Sequence, residues 1–434
     1  MKVTVEELSP SKRALQIELP ADRVAAALQA TLRSLSRTLQ LPGFRPGKVP
    51  AELIQRRFQG DLREEMLREL IPASYREALT QTDLKPVGQP KVEDVQLTAG
   101  APLRFRAVVD IKPPIEVKDY RGIPVERGKV EVTDQEVERG LEFLREDAAE
   151  YVPMEGWPAM RDDLVILDHE GTVNGKPFKG GSGTNLTVVL GRGGYLPGFE
   201  EQVAGMQKGD RKQFRLPIPE DAPRKDLAGK TVEFTVSVKE VKKRRVPELN
   251  DEFAKTVGDV ESLAALREKL REQIQQRKSR EQEAELKRAV LEKLVAAHGV
   301  DLPEALVEME AASILQELAE TVRAAGGRVR GLPGTPEELQ AKALETARRR
   351  VKEALLLEAV AHQEGMTVTD EELEREIQAA ASAYPAASGA NLRRILDDPD
   401  RRADLTARLL ARKALDFLFQ QATISEAYNL ITPA

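Results

Sequence analysis

Near the start of the chain Leu15, Ile17 and Leu19 alternate with Gln16 and Glu18, the two-residue period of a strand with one buried face. From residue 22 the period changes. Val24, Leu28, Leu32, Leu35 and Leu39 recur at intervals of three and four, which predicts an amphipathic helix over 22–40, stopped by Pro42. A second helical stretch is predicted from near Pro50 to about Thr80, broken at Gly60. Alternation then returns in Leu103, Phe105, Ala107 and Val109, and the Pro113–Pro114 pair closes an α+β unit over 1–112.

Residues 113–150 read as a connector. Thr133 and Glu136 have the spacing of a capping box, so a helix is expected from Asp134, with Leu141–Leu144 on its apolar face. Over 151–246 glycine and proline become dense and the patterns shorten. Val232, Phe234, Val236 and Val238 alternate with polar residues, and Leu164–Leu167 is a short apolar run, so this segment is expected to be a compact β-rich domain. The run Lys242–Arg245 reads as a solvated linker at its exit.

From Pro247 to residue 434 the pattern is helical. Leu263, Leu266, Leu270 and Ile274 open one helix, and Leu286, Val290 and Leu294 continue it. Between them, Gln275 to Glu285 is polar on every face, which suits a bridging helix and not a core one. Thr335-Pro336 with Glu338, and Thr369 with Glu372, mark two further helix starts. No repeat of solenoid length is present.

Composition narrows the chemistry. The 434 residues include no cysteine and three scattered histidines (His169, His298, His362), which exclude a disulfide scaffold and thiolate chemistry and leave no multi-histidine metal site. No metal or cofactor is therefore expected. A Gly-x-x-x-x-Gly-Lys-Ser/Thr run is absent, so no nucleotide-driven cycle is expected. The opening residues have no apolar run behind a basic segment, and no stretch of 18 apolar residues occurs, so a cytoplasmic protein without a membrane partner is expected. The net charge is −6, yet 33–57 carries Arg33, Arg37, Arg45, Lys48, Arg56 and Arg57 against Glu52 alone. That excess suits an anionic partner, and it equally suits a solvated helix face.

The loop Leu41–Pro50 lies within this basic segment. Three prolines and two glycines restrict it, and Phe44 stands at its tip beside Arg45 and Lys48. An aromatic anchor among cations on a pre-ordered loop has the composition of an interface hot spot. Gly43-Phe44-Arg45 with Gly47, Lys48 and Pro50 resembles the ribosome-docking motif of the trigger factor family, bacterial chaperones that sit at the exit of the ribosomal tunnel. The resemblance covers the whole chain. It implies that Phe44, Arg45 and Lys48 touch a ribosomal protein, and that Arg33, Arg37, Arg56 and Arg57 add contacts to ribosomal RNA.

Within 151–246, Gly191–Glu200 followed by Gly205-Met206 and Gly209-Asp210 resembles the FKBP-type peptidyl-prolyl isomerase family, as do Asp168 with Gly171 and Asn174-Gly175 with Phe178. The resemblance implies a cup lined by Phe178, Tyr195, Leu196, Phe199 and Phe234, which carry the catalysis. Four positions depart from the family pattern: His169 replaces an aromatic, Lys179 an acidic residue, Leu186 a phenylalanine and Ala222 a tyrosine. Gly191-Arg192-Gly193 also hints at a phosphate loop, but lacks the strand-to-helix setting.

The expected fold is thus a multidomain α+β chain. It has an N-terminal α+β ribosome-docking domain (1–112), an FKBP-like β-rich domain (151–246) and an all-α C-terminal chaperone domain (247–434), with 113–150 belonging to the chaperone body. The expected function is an ATP-independent chaperone with isomerase activity. Its partners would be the large ribosomal subunit, nascent or unfolded polypeptides and, away from the ribosome, a second copy of itself. The alternatives are a soluble FKBP-type isomerase that does not dock, and a nucleic-acid-binding protein using 33–57. The second has only Phe44 and Phe58 as aromatics in the basic region.

Overall fold

The computed structural model describes residues 1–38, 50–98, 100–193, 195–196, 198–219, 227–324, 335–382, 386–396 and 398–426, with no side chain described at 51, 179, 386–388 and 390. The chain divides into two compact units, Met1–Gly128 with Glu283–Ala434, and Lys129–Gln282. No helix among the described residues is long and apolar enough to cross a membrane.

The first unit begins with strands β1 (Lys2–Ser9) and β2 (Lys12–Leu19), then helices α1 (Ala21–Thr38), α2 (Ala51–Arg57) and α3 (Gln59–Thr82), then strands β3 (Pro86–Gln96) and β4 (Leu103–Ile111). The antiparallel sheet has the order β1-β2-β4-β3. Ile17 stands opposite Phe105 and Leu15 opposite Ala107, so the two alternating patterns meet in register. They form one core with Val24 and Leu32 of α1, Ile54 of α2, and Leu62 and Met66 of α3. The second helical stretch breaks at Phe58, not Gly60. Phe58 leaves helical backbone (φ −123°, ψ 37°) while its N–H still donates to the Ile54 carbonyl. Its ring packs against the core, whereas Gly60 has open space around it, so packing sets the break. A short strand β5 (Pro124–Arg127) ends this part of the chain.

The second unit opens with helix α4 (Asp134–Asp147), started by the expected Thr133–Glu136 capping box. Of its apolar run, Leu141 is buried but Phe143 is 70% exposed. Strands β6 (Glu150–Pro153), β7 (Leu164–Val173) and β8 (Lys176–Val189), helix α5 (Phe199–Val203), and strands β9 (Arg211–Pro217) and β10 (Thr231–Arg245) follow. β10 is the spine of this antiparallel sheet: it pairs with β7 along its length, with β9 through 231–237 and with β6 through 242–245. The Lys242–Arg245 run is therefore strand, not linker. Arg244 is nearly buried and ion-paired with Glu146, and the Lys243 ammonium lies 4.2 Å from the Trp157 ring centre. Helix α6 (Asp251–Gly258) packs Phe253 and Ala254 against Leu141 of α4 and Leu266 of the next helix, α7 (Leu263–Ala297).

Helix α7 carries the chain out of the second unit after Gln282, and residues 275–285 contain no buried side chain, as their all-polar pattern requires. The remaining helices are α8 (Glu304–Ala324), α9 (Pro336–Gln363), α10 (Asp370–Ser382), α11 (Ala386–Leu396) and α12 (Pro399–Gln421), followed by strand β11 (Thr423–Glu426), which pairs in parallel with β5. Leu286, Val290 and Leu294 of α7 bury against Leu356 and Val360 of α9 and Leu418 of α12. These cores are almost wholly aliphatic, as the scarcity of aromatics requires.

Candidate functional site

The second unit concentrates its aromatic side chains in one place. Phe234 enters from β10 and stands directly opposite Phe214 of β9. Phe199 is the first residue of α5, whose N-cap Gly198 takes a left-handed backbone (φ 84°). A Cβ at Gly198 would also lie 2.8 Å from Leu216 Cδ1, so glycine alone fits this turn. Phe199 and Phe234 are fully buried with ring centres 5.2 Å apart at 79°, an edge-to-face pair worth about 0.5–1.5 kcal/mol beyond its buried area. Tyr195, on the loop before α5, lies 4.4 Å from the Phe199 centre and 6.3 Å from that of Phe234.

Of the five residues expected to line the cup, Phe199 and Phe234 are fully buried in the core of this unit. Tyr195, Leu196 and Phe178 are half-buried and pack against the same core. Phe214, missed in the sequence, joins the same ring cluster at 5.6 Å from Phe199 and 5.9 Å from Phe234. The signal was available in Phe214, Leu216 and Ile218, which alternate like a strand.

Glycines let the rings approach the strands. A Cβ at Gly171 would lie 2.7 Å from Phe234 Cε1, and one at Gly181 would lie 2.7 Å from Phe178 Cε1. A Cβ at Gly183 would come within 2.9 Å of His169 Cε1. The hairpin that brings Phe178 into place turns at Asn174-Gly175, both with positive φ (51° and 74°), the pair that a two-residue turn between twisted strands favours.

The departures from the family pattern have local answers. His169 supplies the ring that an aromatic would: it is 5% exposed and meets Tyr195 edge-on at 5.5 Å. Leu186 packs against the core from its position opposite Leu167. The Lys179 side chain and Ala222 lie outside what is described. Asp168 is on the other face of β7. Its carboxylate pairs with Lys239 at 2.9 Å and accepts the Asn185 N–H at 2.8 Å, which together hold it below the usual aspartate range. The Gly191–Gly193 turn is already filled by an anion of the chain itself: the Glu200 carboxylate accepts both glycine N–H groups, at 2.7 and 3.3 Å.

Gly43, Phe44, Arg45, Gly47 and Lys48 lie outside the described residues. Pro50 is exposed and caps α2. Arg33 and Arg37 on α1, and Arg56 and Arg57 in the last turn of α2, are all exposed. Among the described residues no cluster of three or more metal-ligating side chains occurs.

An antiparallel sheet packed with a short helix around a cluster of aromatic rings is the architecture of an FKBP-type prolyl isomerase domain. The FKBP-type peptidyl-prolyl cis-trans isomerase family model matches residues 156–239. Models of the bacterial trigger factor protein and its C-terminus match 1–144 and 262–420. A trigger factor from Carboxydothermus hydrogenoformans is 36% identical over 427 residues, covering 97% of this chain and 99% of that one. One from Geobacillus kaustophilus is 36% identical over 431 residues, covering 98% and 100%. A solved structure described as showing promiscuous substrate recognition in folding and assembly by the trigger factor chaperone aligns with a TM-score of 0.56 and 27% identity, covering 97% of this chain and 99% of that one. The chain belongs to the trigger factor family, chaperones that carry an FKBP-type isomerase domain.

Proposed function

We propose that this chain docks on the large ribosomal subunit at the tunnel exit and holds emerging polypeptides in the cytoplasm without nucleotide. Residues 1–112 act as the docking domain, 151–246 as the isomerase, and 247–434 with 113–150 as the holding body. The observation that carries docking is the placement of charge around the tip. The two helices that flank residues 39–49 present Arg33, Arg37, Arg56 and Arg57 to solvent, with Glu52 as the one acidic residue from 33 to 57. Cations around a Gly-Phe-Arg tip suit a protein contact rimmed by RNA phosphates. Away from the ribosome the chain pairs with a second copy of itself.

The isomerase role follows from the cup. Turning an X–Pro amide means breaking its conjugation, against a barrier of about 18–20 kcal/mol. The twisted amide is less polar than either planar form. A dry site floored by Phe199, Phe214 and Phe234 favours it without forming a covalent bond. Phe178, Tyr195 and Leu196 grip the proline and the preceding residue.

Cosedimentation of the full chain with large subunits tests docking. Pelleting that survives Phe44→Ala/Arg45→Ala would leave a soluble isomerase as the better reading.

A further inference from the structure

The cup has one polar feature that its aromatic chemistry does not use. Tyr195 Oη and His169 Nε2 stand 2.8 Å apart in a hydrogen bond. The two residues come from different elements: His169 sits mid-strand on β7, while Tyr195 is on the loop that closes onto α5. The other imidazole nitrogen, Nδ1, is buried and without a hydrogen-bond partner among the described residues.

We infer that His169 is a positioning residue of the isomerase: through Nε2 it holds the Tyr195 phenol as one wall of the cup, and it does so as the neutral imidazole. The inference rests on the reading of the cup as the site of X–Pro isomerisation. Three observations support it. Tyr195 is on a loop, and the hydrogen bond ties the far end of its ring to a strand. Gly183, opposite His169 in the register, leaves the space that the imidazole occupies. The tyrosine ring is also the closest ring to Phe199, at 4.4 Å, so displacing the phenol opens the floor.

The surroundings suit a neutral ring. Burial pushes the His169 pKa below its ordinary 6.5, against smaller opposing pulls from the Gly180 backbone and the Asp168 carboxylate. Asp168 is on the reverse face of the strand and is already engaged by Lys239. From β10 the ring meets Val236 in register and the Phe234 ring, from β8 it meets Gly183, and Glu170 on its own strand is exposed. Tyr195 is the titratable group in direct contact. A proton added to this ring places a charge in a buried site, where desolvation outweighs the pulls of Gly180 and Asp168. Water must then enter, and the Tyr195 wall is the part that gives way.

The test is a proline-limited peptide assay on the full chain between pH 8 and pH 5. It compares the wild type with His169→Phe, Tyr195→Phe, the double variant and Phe199→Ala. Each single variant at the pair is expected to lower kcat/KM about three- to tenfold, the span of one net hydrogen bond. The double variant should be no worse than the weaker single one. Wild-type activity should hold from pH 8 to below pH 6.5 and then fall, while His169→Phe stays flat. Additive losses, or the wild-type acid limb persisting in His169→Phe, would overturn the inference. If His169→Phe does not fold, Tyr195→Phe, which removes one oxygen, still reads the loss in kcat/KM, and its unchanged value would overturn the inference. Full activity in Phe199→Ala would remove the cup reading and this inference with it. Lost activity there, with both pair variants unaltered, would overturn the inference alone.

Discussion

Ser11 and Asp301, 290 positions apart, share two hydrogen bonds: the Asp301 carboxylate accepts the Ser11 N–H at 3.0 Å and hydroxyl at 2.8 Å, and it accepts the Ser9 hydroxyl as well, at 2.7 Å. One exposed carboxylate thus ties the β1–β2 turn to the segment leading into α8. Asp301→Ala should destabilise the first unit by about 1 kcal/mol, a modest figure because solvent competes for these groups. Amide exchange at Ser11 should quicken more than exchange in β4. The hydrogen bonds from Ser9 and Ser11 hold Asp301 below its ordinary range. Its contribution is therefore complete above the unfolded value and is lost as pH falls through the lower folded one.

Gly171→Ala probes the cup from beneath. The added methyl would lie 2.7 Å from the Phe234 ring and 2.9 Å from the Gly181 carbonyl oxygen, and neither can move freely. The expected result is a loss of about 1–3 kcal/mol from the second unit, with isomerase activity falling further than stability. Thermal unfolding and a proline-limited refolding assay check both.

Trp157, the single tryptophan, reports on Asp163. Asp163 is 4% exposed and accepts three donors: Trp157 Nε1–H at 3.0 Å, the Met160 N–H at 2.9 Å and the Arg244 N–H at 3.2 Å. Asp163→Ala orphans all three and should cost about 2–4 kcal/mol. Trp157 fluorescence should move to longer wavelength in the folded variant as water reaches the indole.

The helix start at Thr133 carries an acid-sensitive pair. Glu136 is pulled down to about 2, first by Lys278, 2.7 Å away, and then by the Thr133 backbone. A depressed carboxylate stabilises the fold above its ordinary 4.5 and loses that contribution as pH falls from there toward about 2. Acid titration by circular dichroism should show a shallower loss of stability in Glu136→Gln than in the wild type across this interval.

The features legible in the sequence were those with a local cause. The capping boxes at Thr133, Thr335 and Thr369, the Asn174-Gly175 turn and the alternation from Val232 each depend on residues within a few positions. β1 was not legible, because Lys2–Ser9 is an edge strand with almost no buried residue to set a period. The Lys242–Arg245 run looked like a linker because its pairing with Glu150–Pro153 spans some ninety positions. The same holds for the cup. Its rings could be named from the motif, but the hydrogen bond between His169 and Tyr195 depends on how a strand and a distant loop meet.

The proposed docking role rests on residues 43–50 anchoring the chain to the ribosome. Equilibrium binding of the labelled full chain to purified large subunits tests it most directly. The account predicts saturable binding at one chain per subunit, weakened at least tenfold by Phe44→Ala/Arg45→Ala and more gradually by added salt. Unchanged affinity in that variant, or no saturable binding by the wild type, would contradict it.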